Sequence, residues 1–305
     1  TKYDGLRYQP QSLQVNRFAG IKSFESKPAS CDPYIIELAK KKKGNIYTTD
    51  NVLSAIMCCE RSKYSFDIVV TKIGNNIFLD ERNSNHGAGL SGYSVDETSP
   101  YRPTKYKQPK MDYYTSLAFE AEGINHVFNE QILYQNNLEH IQNLKRSHPF
   151  NEKKGRKSKS KQAISSQAFS YNLYDVTKDM QVICRCGIDG YIVDNDNNDN
   201  SKRDWVKIAA LNQYNHNKSK TEDWRRDLDK KQTAIIREEI RNNNFKCARW
   251  GIKAKLSDSK YIKLGFVARE KDYKSDKHEI IGVKTFETRD YLKRNFGIKS
   301  LRDSW

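Results

Sequence analysis

Residues 180–193 read MQVICRCGIDGYIV, and residues 204–211 read DWVKIAAL. Both runs are rich in Val, Ile and other apolar side chains, and their length and composition are typical of buried strands. The segment EDWRRDLDKKQTAIIREEIRNN at 222–243 instead has the period of an amphipathic helix. Further strand-like runs occupy 168–176, 245–256, 260–268 and 278–286. Strands on both sides of a long helix predict an α/β protein, of the mixed α+β kind, in which helices pack on a mixed sheet.

The first half of the chain predicts shorter elements. They are helices that begin near Pro33 and Asn51, a hairpin with strands at 66–70 and 77–79, and a largely helical segment at 111–146. Asp32 provides an N-cap for the first helix, and Thr49 and Asp50 directly precede the second one. The sequence GNN between the two hairpin strands favours a tight turn.

The chain has 305 residues, of which 36% are hydrophobic, and this is sufficient for one core of ordinary size. We therefore expect a single domain across 1–305, and we expect a fragment of a longer protein because the chain does not begin with Met. Residues 84–110 contain three prolines with Ser, Gly and Asn, and they predict a long loop. Residues 150–163 include the charge run KKGRKSKSK and predict a basic, flexible linker within the domain.

Charge and cysteine content narrow the classes of function. The 54 Lys and Arg residues exceed the 38 Asp and Glu residues, which gives a formal net charge of +16. A basic domain of this kind most often binds a polyanion such as RNA. No run approaches the roughly 18–20 apolar residues of a membrane span, so no membrane partner is expected. The six cysteines are neither dense enough for a disulfide scaffold nor spaced as zinc-binding pairs, which favours a reducing, cytoplasmic location.

The helix at 222–243 has two contrasting sides. A rotation of about 100° per residue places four cations on one narrow stripe, namely Arg226, Lys230, Arg237 and Arg241. Apolar residues lie on the opposite side, namely Trp224, Leu228 and Ile235. The stripe is a candidate for contact with RNA phosphates, and an ordinary solvated helix face is the alternative. No nucleotide-binding, serine-hydrolase or metalloprotease motif is present, and we predict no catalytic residue, cofactor or metal site.

Several strings of residues carry a resemblance to a known family. They are TDNVLSAIMCCERSKYSFDIVV at 49–70, INH at 124–126, DWRRDLD at 223–229, NNFKCARW at 243–250 and YIKLGFVAR at 261–269. In sequence and in order along the chain, they resemble the D subunit of eukaryotic translation initiation factor 3. The resemblance extends from about residue 20 to residue 305 and covers the central cap-binding domain of that family.

The resemblance implies a fold like that of the decapping exoribonucleases, with two mixed sheets packed together and flanking helices. Those nucleases hold divalent metal with an acid-x-acid triplet on one strand and a Glu-apolar-Lys triplet on the next. At these positions this chain has Gly187-Ile188-Asp189 and Lys207-Ile208-Ala209. One carboxylate beside an ammonium group does not supply the oxygen ligands and negative charge that Mg²⁺ needs. The resemblance therefore implies a protein that does not hydrolyse RNA.

The cap-contact positions of the family match residues in two segments of this chain. They are Asp50, Lys63, Tyr64, Glu122, Asn125 and His126. The methylated guanine of a cap is a cation, which favours an aromatic face and a carboxylate, whereas the triphosphate favours Lys and Arg. The alternative role of Asp50 is to cap a helix, and the alternative role of Tyr64 is to pack against neighbouring side chains. The 84–110 loop matches an insertion that acts in the family as a gate along the RNA channel.

The function that the resemblance implies is non-enzymatic binding of the mRNA 5′ cap and guidance of RNA during translation initiation. The implied partners are capped mRNA, the other subunits of initiation factor 3 and the small ribosomal subunit, all in the cytoplasm. Two alternatives remain open. A decapping nuclease would require metal, and a structural subunit would keep the fold and the basic surface without reading the cap.

Overall fold

Two five-stranded sheets form the framework of the protein. The computed structural model describes residues 11–14, 27–82, 110–133, 149–150, 168–193 and 203–304. In spatial order, sheet I contains β3 (Ile68–Ile73), β4 (Asn76–Glu81), β2 (Ile46–Thr49), β6 (Gln181–Ile188) and β5 (Ala168–Asp175). Sheet II contains, in spatial order, β1 (Gln11–Gln14), β10 (Lys277–Glu287), β9 (Tyr261–Arg269), β8 (Arg203–Gln213) and β7 (Gly190–Val193). β2 is parallel to β4 and β6, and β8 is parallel to β9, while the other pairs are antiparallel. Both sheets are thus mixed, which confirms the predicted fold class.

Helices flank these sheets. They are α1 (Pro33–Lys40), α2 (Asp50–Met57), α3 (Tyr114–Ile132), α4 (His216–Ser219), α5 (Trp224–Asn242), α6 (Asn244–Leu256) and α7 (Thr288–Phe296). The predictions of α1, α2, α5 and the β3–β4 hairpin are confirmed, and Asp32 caps α1 through hydrogen bonds from the backbone N–H groups of Tyr34 and Ile35. α3 accounts for the first part of the helical prediction at 111–146.

The two faces of sheet II pack against different helices because alternate residues of a strand point to opposite sides. Val206, Ile208 and Ala210 of β8 lie in a hydrophobic cluster with α3. Ala209 and Leu211 point the other way. They join the larger cluster, which includes side chains of α2, α5, α6, α7 and β6. α3 therefore covers one face of sheet II, and the main core lies on the other.

Residues 180–193 form two strands in different sheets, whereas the sequence predicts one run. β6 ends at Ile188 in sheet I, and β7 begins at Gly190 in sheet II. The residue between them, Asp189, turns its carboxylate toward β8, where Oδ2 accepts a hydrogen bond of 2.9 Å from the backbone N–H of Ile208. The chain therefore passes from one sheet to the other at Asp189.

The prediction of a strand at 245–256 is wrong, because these residues form helix α6. The prediction failed because α6 is buried on most of its circumference, with Phe245, Cys247 and Ile252 among its buried residues. A helix that is apolar nearly all round has no clear 3.6-residue stripe, and short apolar runs of this kind are easily mistaken for strands.

Some sequence predictions fall on residues outside the described ranges. This applies to the 84–110 loop except Lys110, to the 150–163 linker except Phe150, and to 134–146 of the predicted long helix. None of the helices in the described ranges combines the length and the apolar character that crossing a membrane requires.

Candidate functional site

The point where the chain passes between the sheets contains a buried ion pair. The ammonium nitrogen Nζ of Lys207 lies 3.2 Å from Asp189 Oδ1 and donates to the carbonyl oxygen of Gly187 at 3.3 Å. Burial alone lowers the pKa of Lys207, but the charges of Asp189 and Asp50 outweigh it and raise this pKa above its usual value. Lys207 is therefore a cation that neutralises Asp189.

These residues do not fit a divalent metal ion. The positions that match the nuclease metal ligands hold a glycine, one carboxylate and a buried ammonium group, and the ammonium group occupies the space beside that carboxylate. Mg²⁺ and Mn²⁺ need several oxygen ligands of net negative charge. Across the described ranges, no group of three or more His, Cys, Asp and Glu side chains is arranged to hold a metal.

Asp50 lies next to this ion pair and links α2 to sheet I. Its Oδ2 atom accepts a hydrogen bond of 3.0 Å from the backbone N–H of Gly187. The alternative role of Asp50 as helix N-cap is wrong, because Thr49 is the N-cap and accepts from the backbone N–H of Val52. Asp50 instead occupies the first turn of α2, where a carboxylate interacts favourably with the helix dipole.

Three side chains that sequence reasoning missed surround Asp50. Arg249 and Lys253 of α6 both donate to Asn51 Oδ1, at 2.5 Å and 2.6 Å. Glu81, at the end of β4, lies close enough for its charge to interact with both cations. Arg249 and Lys253 are four residues apart and share one side of α6. A strand would also place both residues on one face, but about 13 Å apart rather than one helical turn apart, so the strand prediction for this segment hid how close the two cations lie.

We predict that Lys253 titrates in the weakly alkaline range. Burial, together with the charges of Arg249 and Lys207, lowers the pKa of Lys253 to about 8 against the opposing charge of Asp50. Since the folded protein releases this proton before the unfolded chain does, the free energy of unfolding should rise between pH 8 and the ordinary lysine value of 10.5. Urea unfolding of wild type and Lys253→Met at several pH values tests this.

The matched control for this experiment is Lys178→Met, because Lys178 is an exposed lysine in the turn before β6. The free energy of unfolding of the wild-type protein, minus that of Lys253→Met, should increase as the pH rises. Parallel curves for these two proteins from pH 7 to pH 10 would contradict the prediction.

Asn125 of α3 is held by the open edge of β8. Its Oδ1 atom accepts from the backbone N–H of Ala210 at 2.8 Å, and its Nδ2 atom donates to the carbonyl oxygens of Ala210 and Ala121 at 3.1 Å and 2.8 Å. Asp189 and Asn125 thus accept from alternate backbone N–H groups of β8, those of Ile208 and Ala210, past the point where Gly190 at the start of β7 pairs with Val206. This amide fastens α3 to the sheet, a structural role that the sequence did not reveal.

Glu122 and His126 lie on the same helix as Asn125, at spacings that place them on adjoining positions of its surface. Both are partly buried. The Nε2 atom of His126 lies 3.6 Å from Oε1 of Glu130, one turn further along α3. Asp50 binds Gly187, which accepts from Lys207, and Asn125 binds Ala210, three residues after Lys207 on β8. The two helices thus reach this part of the protein from the two sides of sheet II.

Lys63 and Tyr64 lie beyond the other end of α2. Asp50 opens this eight-residue helix, and eight residues span about 12 Å along a helix axis. Lys63 is exposed and Tyr64 is partly buried. The Ser62 hydroxyl donates to the carbonyl oxygen of Tyr64 at 2.6 Å and accepts from its N–H group at 3.3 Å, which fixes the backbone there.

The α5 stripe is exposed but not uniform. The apolar side is buried as predicted, at Trp224, Leu228 and Ile235. All four cations are exposed, but Arg226 pairs with Asp227 at 2.8 Å and Arg241 pairs with Glu238 at 3.4 Å. Lys230 and Arg237 form no ion pair with any residue in the described ranges. Lys231 has non-helical backbone angles, so the stripe is divided into two halves by a kink.

A second buried network fastens the N-terminal part of α3 to sheet II. The guanidinium group of Arg269 donates to Glu120 Oε1 at 2.9 Å and to Asp112 Oδ1 at 2.8 Å. The Nε2 atom of His278 lies 2.7 Å from Glu120 Oε1. Burial raises the pKa of Glu120, but hydrogen bonds from Arg269 and His278 outweigh it, so the net pKa is lowered. Glu120 is therefore ionised in the interior of the protein.

The fold resembles a solved nuclease structure. A Candida albicans Rai1 in complex with pU5-Mn2+ has a TM-score of 0.50 to this chain at 14% sequence identity, and the match covers 94% of this chain and 65% of that one. At this identity, the likeness shows the fold alone. It agrees with the implied two-sheet architecture.

Sequence relatives show the family. The family model described as "Eukaryotic translation initiation factor 3 subunit 7 (eIF-3)" matches residues 3–305. A Drosophila erecta protein, named as the D-2 subunit of eukaryotic translation initiation factor 3, is 33% identical over 260 residues, which are 85% of this chain and 44% of that protein. The D subunit of the same factor from Pongo abelii is 32% identical over 272 residues, 89% of this chain and 47% of that protein. The chain thus spans less than half the length of these relatives. The resemblance drawn from the residue strings is confirmed, and the chain belongs to the D-subunit family of eukaryotic translation initiation factor 3.

Proposed function

We propose that this chain is a non-catalytic domain of initiation factor 3 that binds the mRNA 5′ cap and the RNA that follows it. Its partners are then capped mRNA, the other subunits of the factor and the small ribosomal subunit, and it acts in the cytoplasm. Membership of the family supports a role in translation initiation. The observation that carries the non-catalytic part is the buried pair of Lys207 and Asp189.

The pair argues against hydrolysis on chemical grounds. Metal-dependent cleavage of a phosphoanhydride or phosphodiester needs a divalent ion to stabilise the developing charge and to activate water. Lys207 places a fixed positive charge beside the carboxylate that would have to bind this ion. A like charge at that distance repels the ion, and the ammonium group has no lone pair to offer as a ligand.

Cap recognition is proposed for the residues around α2 and α3. Asp50 uses Oδ2 for the contact with Gly187, which leaves Oδ1 to accept from the Watson–Crick edge of a guanine. Lys63 and Tyr64 would contact the cap from beyond the far end of α2, Tyr64 with its aromatic face and Lys63 near the phosphates. Glu122, Asn125 and His126 would contact the cap from α3, and the 84–110 loop would control access as a gate.

One observation favours the alternative of a structural subunit that no longer reads the cap. The side-chain amide of Asn125 is already engaged on both its oxygen and its nitrogen by β8 and by its own helix. A cap contact by Asn125 would have to compete with these hydrogen bonds, each worth about 1 kcal/mol net. The experiment therefore has to separate cap binding from general RNA binding.

Photocrosslinking to two RNAs of one sequence, capped and uncapped, makes this separation. The proposal predicts labelling of the capped RNA that a cap analogue competes away. Equal labelling of both RNAs, without competition by the analogue, would leave only the structural role. A parallel incubation with Mn²⁺ tests the nuclease alternative, since release of cap or nucleotides would contradict the non-catalytic proposal.

The α5 stripe gives a separate prediction about RNA affinity. Lys230→Gln with Arg237→Gln removes the two stripe cations that have no ion pair in the described ranges, so the slope of log Kd against log salt should fall by about 0.7 per lost phosphate contact. The matched control is Arg226→Gln with Arg241→Gln, which removes the same charge from paired residues. Equal effects of the two double variants would mean that only net charge matters.

A further inference from the structure

A small surface pocket lies between the end of α6, the start of α7 and the segment that follows α7. It is lined by Lys255, Arg289, Leu292, Ile298, Lys299 and Ser300. Three of these residues are cations, and none of the lining residues, all of which belong to the described ranges, is acidic. The floor is formed by two buried apolar side chains, Leu292 and Ile298. Neither the cap-contact positions nor the α5 stripe contribute to it.

The pocket follows from how α6 and α7 pack. A Cβ atom at Gly251 would lie 2.5 Å from Cδ2 of Leu292, so a larger residue there would displace the Leu292 side chain from the helix contact. Lys255 lies one turn after Gly251 on the same side of α6, and Arg289 lies one turn before Leu292 on α7. Both cations are therefore placed at the edge of the helix contact.

The third cation reaches the pocket because the chain reverses after α7. Gly297 has a φ of 74°, a left-handed conformation that ends the helix. The backbone N–H of Ile298 then donates to the carbonyl oxygen of Leu292 at 3.3 Å, which folds the chain back over α7. Lys299 follows directly, so its side chain joins those of Lys255 and Arg289.

The three cations are not paired with carboxylates of the described ranges. Lys255, Arg289 and Lys299 form no ion pair with any residue of those ranges. Two acids lie nearby, and the charge of one of them, Asp303, interacts with Lys299 without forming an ion pair with it. Asp290 pairs with Arg294 at 3.1 Å, and Asp303 accepts from the backbone N–H groups of Lys299 and Ser300, both at 2.8 Å.

The helix dipole does not account for the clustering of these three cations. A lysine in the last turn of α6 interacts favourably with the dipole, and this alone would explain Lys255. Arg289 lies in the first turn of α7, where the dipole disfavours a cation. Three cations that converge from three segments repel one another, and a bound anion relieves this repulsion.

We propose that this pocket binds a phosphate group of the RNA backbone. RNA is the polyanion that the proposed function already brings to this chain, and Arg and Lys together suit a phosphate with several accessible oxygens. Lys253 of the cap-contact region and Lys255 are two residues apart on α6, which places them about 200° apart around the helix. The pocket is therefore a separate contact that holds RNA outside the cap-contact region.

The test uses the 305-residue chain and an uncapped, fluorescent 12-residue oligouridylate. The pocket variant is Lys255→Gln, Arg289→Gln and Lys299→Gln combined, and the matched control is Lys178→Gln, Lys271→Gln and Lys277→Gln combined, which removes the same charge from exposed lysines. The pocket variant should bind about fivefold more weakly and lose about 0.7–2 from the slope of log Kd against log salt. In the control variant, the affinity and the salt slope should both decrease much less.

Two results would overturn the proposal. Equal losses in the pocket and control variants would show that only net charge matters. The second result is that polyglutamate displaces the fluorescent RNA more strongly than unlabelled oligouridylate does, and that this advantage disappears in the pocket variant. It would identify the ligand as an acidic polypeptide instead. A variant with Lys255→Arg and Lys299→Arg should bind like wild type, because it keeps the charges. Since the RNA is uncapped, failure of cap recognition would leave these outcomes unchanged.

Discussion

Replacing Arg269 by methionine is expected to lower the free energy of unfolding by about 3–5 kcal/mol. Arg269 and Glu120 are both buried, and the guanidinium group is the main partner of this carboxylate. Without Arg269, the ionised Glu120 would remain in the interior with only His278 and Asn212 as partners among the described residues. A buried charge that loses its partner costs far more than the pair itself contributes. Urea unfolding of wild type and Arg269→Met measures the difference.

The control is a double-mutant cycle with Glu120→Gln. The double variant should recover the part of the loss that comes from Glu120, because an amide at 120 carries no charge that needs a partner, whereas Asp112 still loses its contact with Arg269. Arg294→Met provides a second comparison, since Arg294 pairs with Asp290 on the surface, at 77% and 39% side-chain exposure. That change should cost at most about 1 kcal/mol. A loss at Arg269 as small as the loss at Arg294 would contradict the account of a tightly held α3.

Lys207→Met is expected to have a comparable effect at the junction of the sheets, again a loss of about 3–5 kcal/mol in the free energy of unfolding. The change removes the cation that neutralises the buried carboxylate of Asp189, which keeps its hydrogen bond from the backbone N–H of Ile208. Adding Asp189→Asn should restore much of the stability, because the neutral amide oxygen still accepts from Ile208. Unfolding by urea at pH 7 gives all three values.

The single variant Asp189→Asn, compared with wild type, tests whether this junction binds a metal ion. A ligand that binds the folded state raises Tm as its concentration increases. Millimolar Mn²⁺ should leave the Tm of the wild-type protein unchanged, because the ammonium group of Lys207 occupies the space beside Asp189. A Tm that rises with the Mn²⁺ concentration in wild type but not in Asp189→Asn would contradict this account.

Local sequence patterns correctly predicted the elements that have one exposed side and one buried side. Helix α5 has a polar and an apolar side, and its burial follows the predicted positions. Helix α6 has no such division, because α2, α7 and the sheets bury it on several sides, and its pattern was mistaken for a strand. The split of 180–193 at Asp189 was equally hidden, because both halves are apolar and nothing local marks a change of sheet. The family resemblance, which rests on long strings of residues, supplied the two-sheet architecture that periodicity alone did not.

The resemblance proposed the residues of the candidate site, but the sequence did not predict their contacts. The resemblance identified Asp50 and Asn125 as candidates, yet their hydrogen bonds run to Gly187 and Ala210, which are 137 and 85 residues away in the chain. Such contacts depend on the tertiary fold and leave no local signal. Arg249, Lys253 and Glu81 were missed for the same reason, since their charges matter only where α6, α2 and β4 meet.

The central claim is the proposed binding of the modified guanine of a cap by the residues around α2 and α3. The most direct measurement is the ratio of Kd values for an uncapped and a capped RNA of one sequence, determined at one salt concentration. We predict a ratio of at least about ten, equivalent to about 1.4 kcal/mol, that falls toward one in Asp50→Asn while the affinity for uncapped RNA is kept. A ratio of one in the wild-type protein would contradict cap binding.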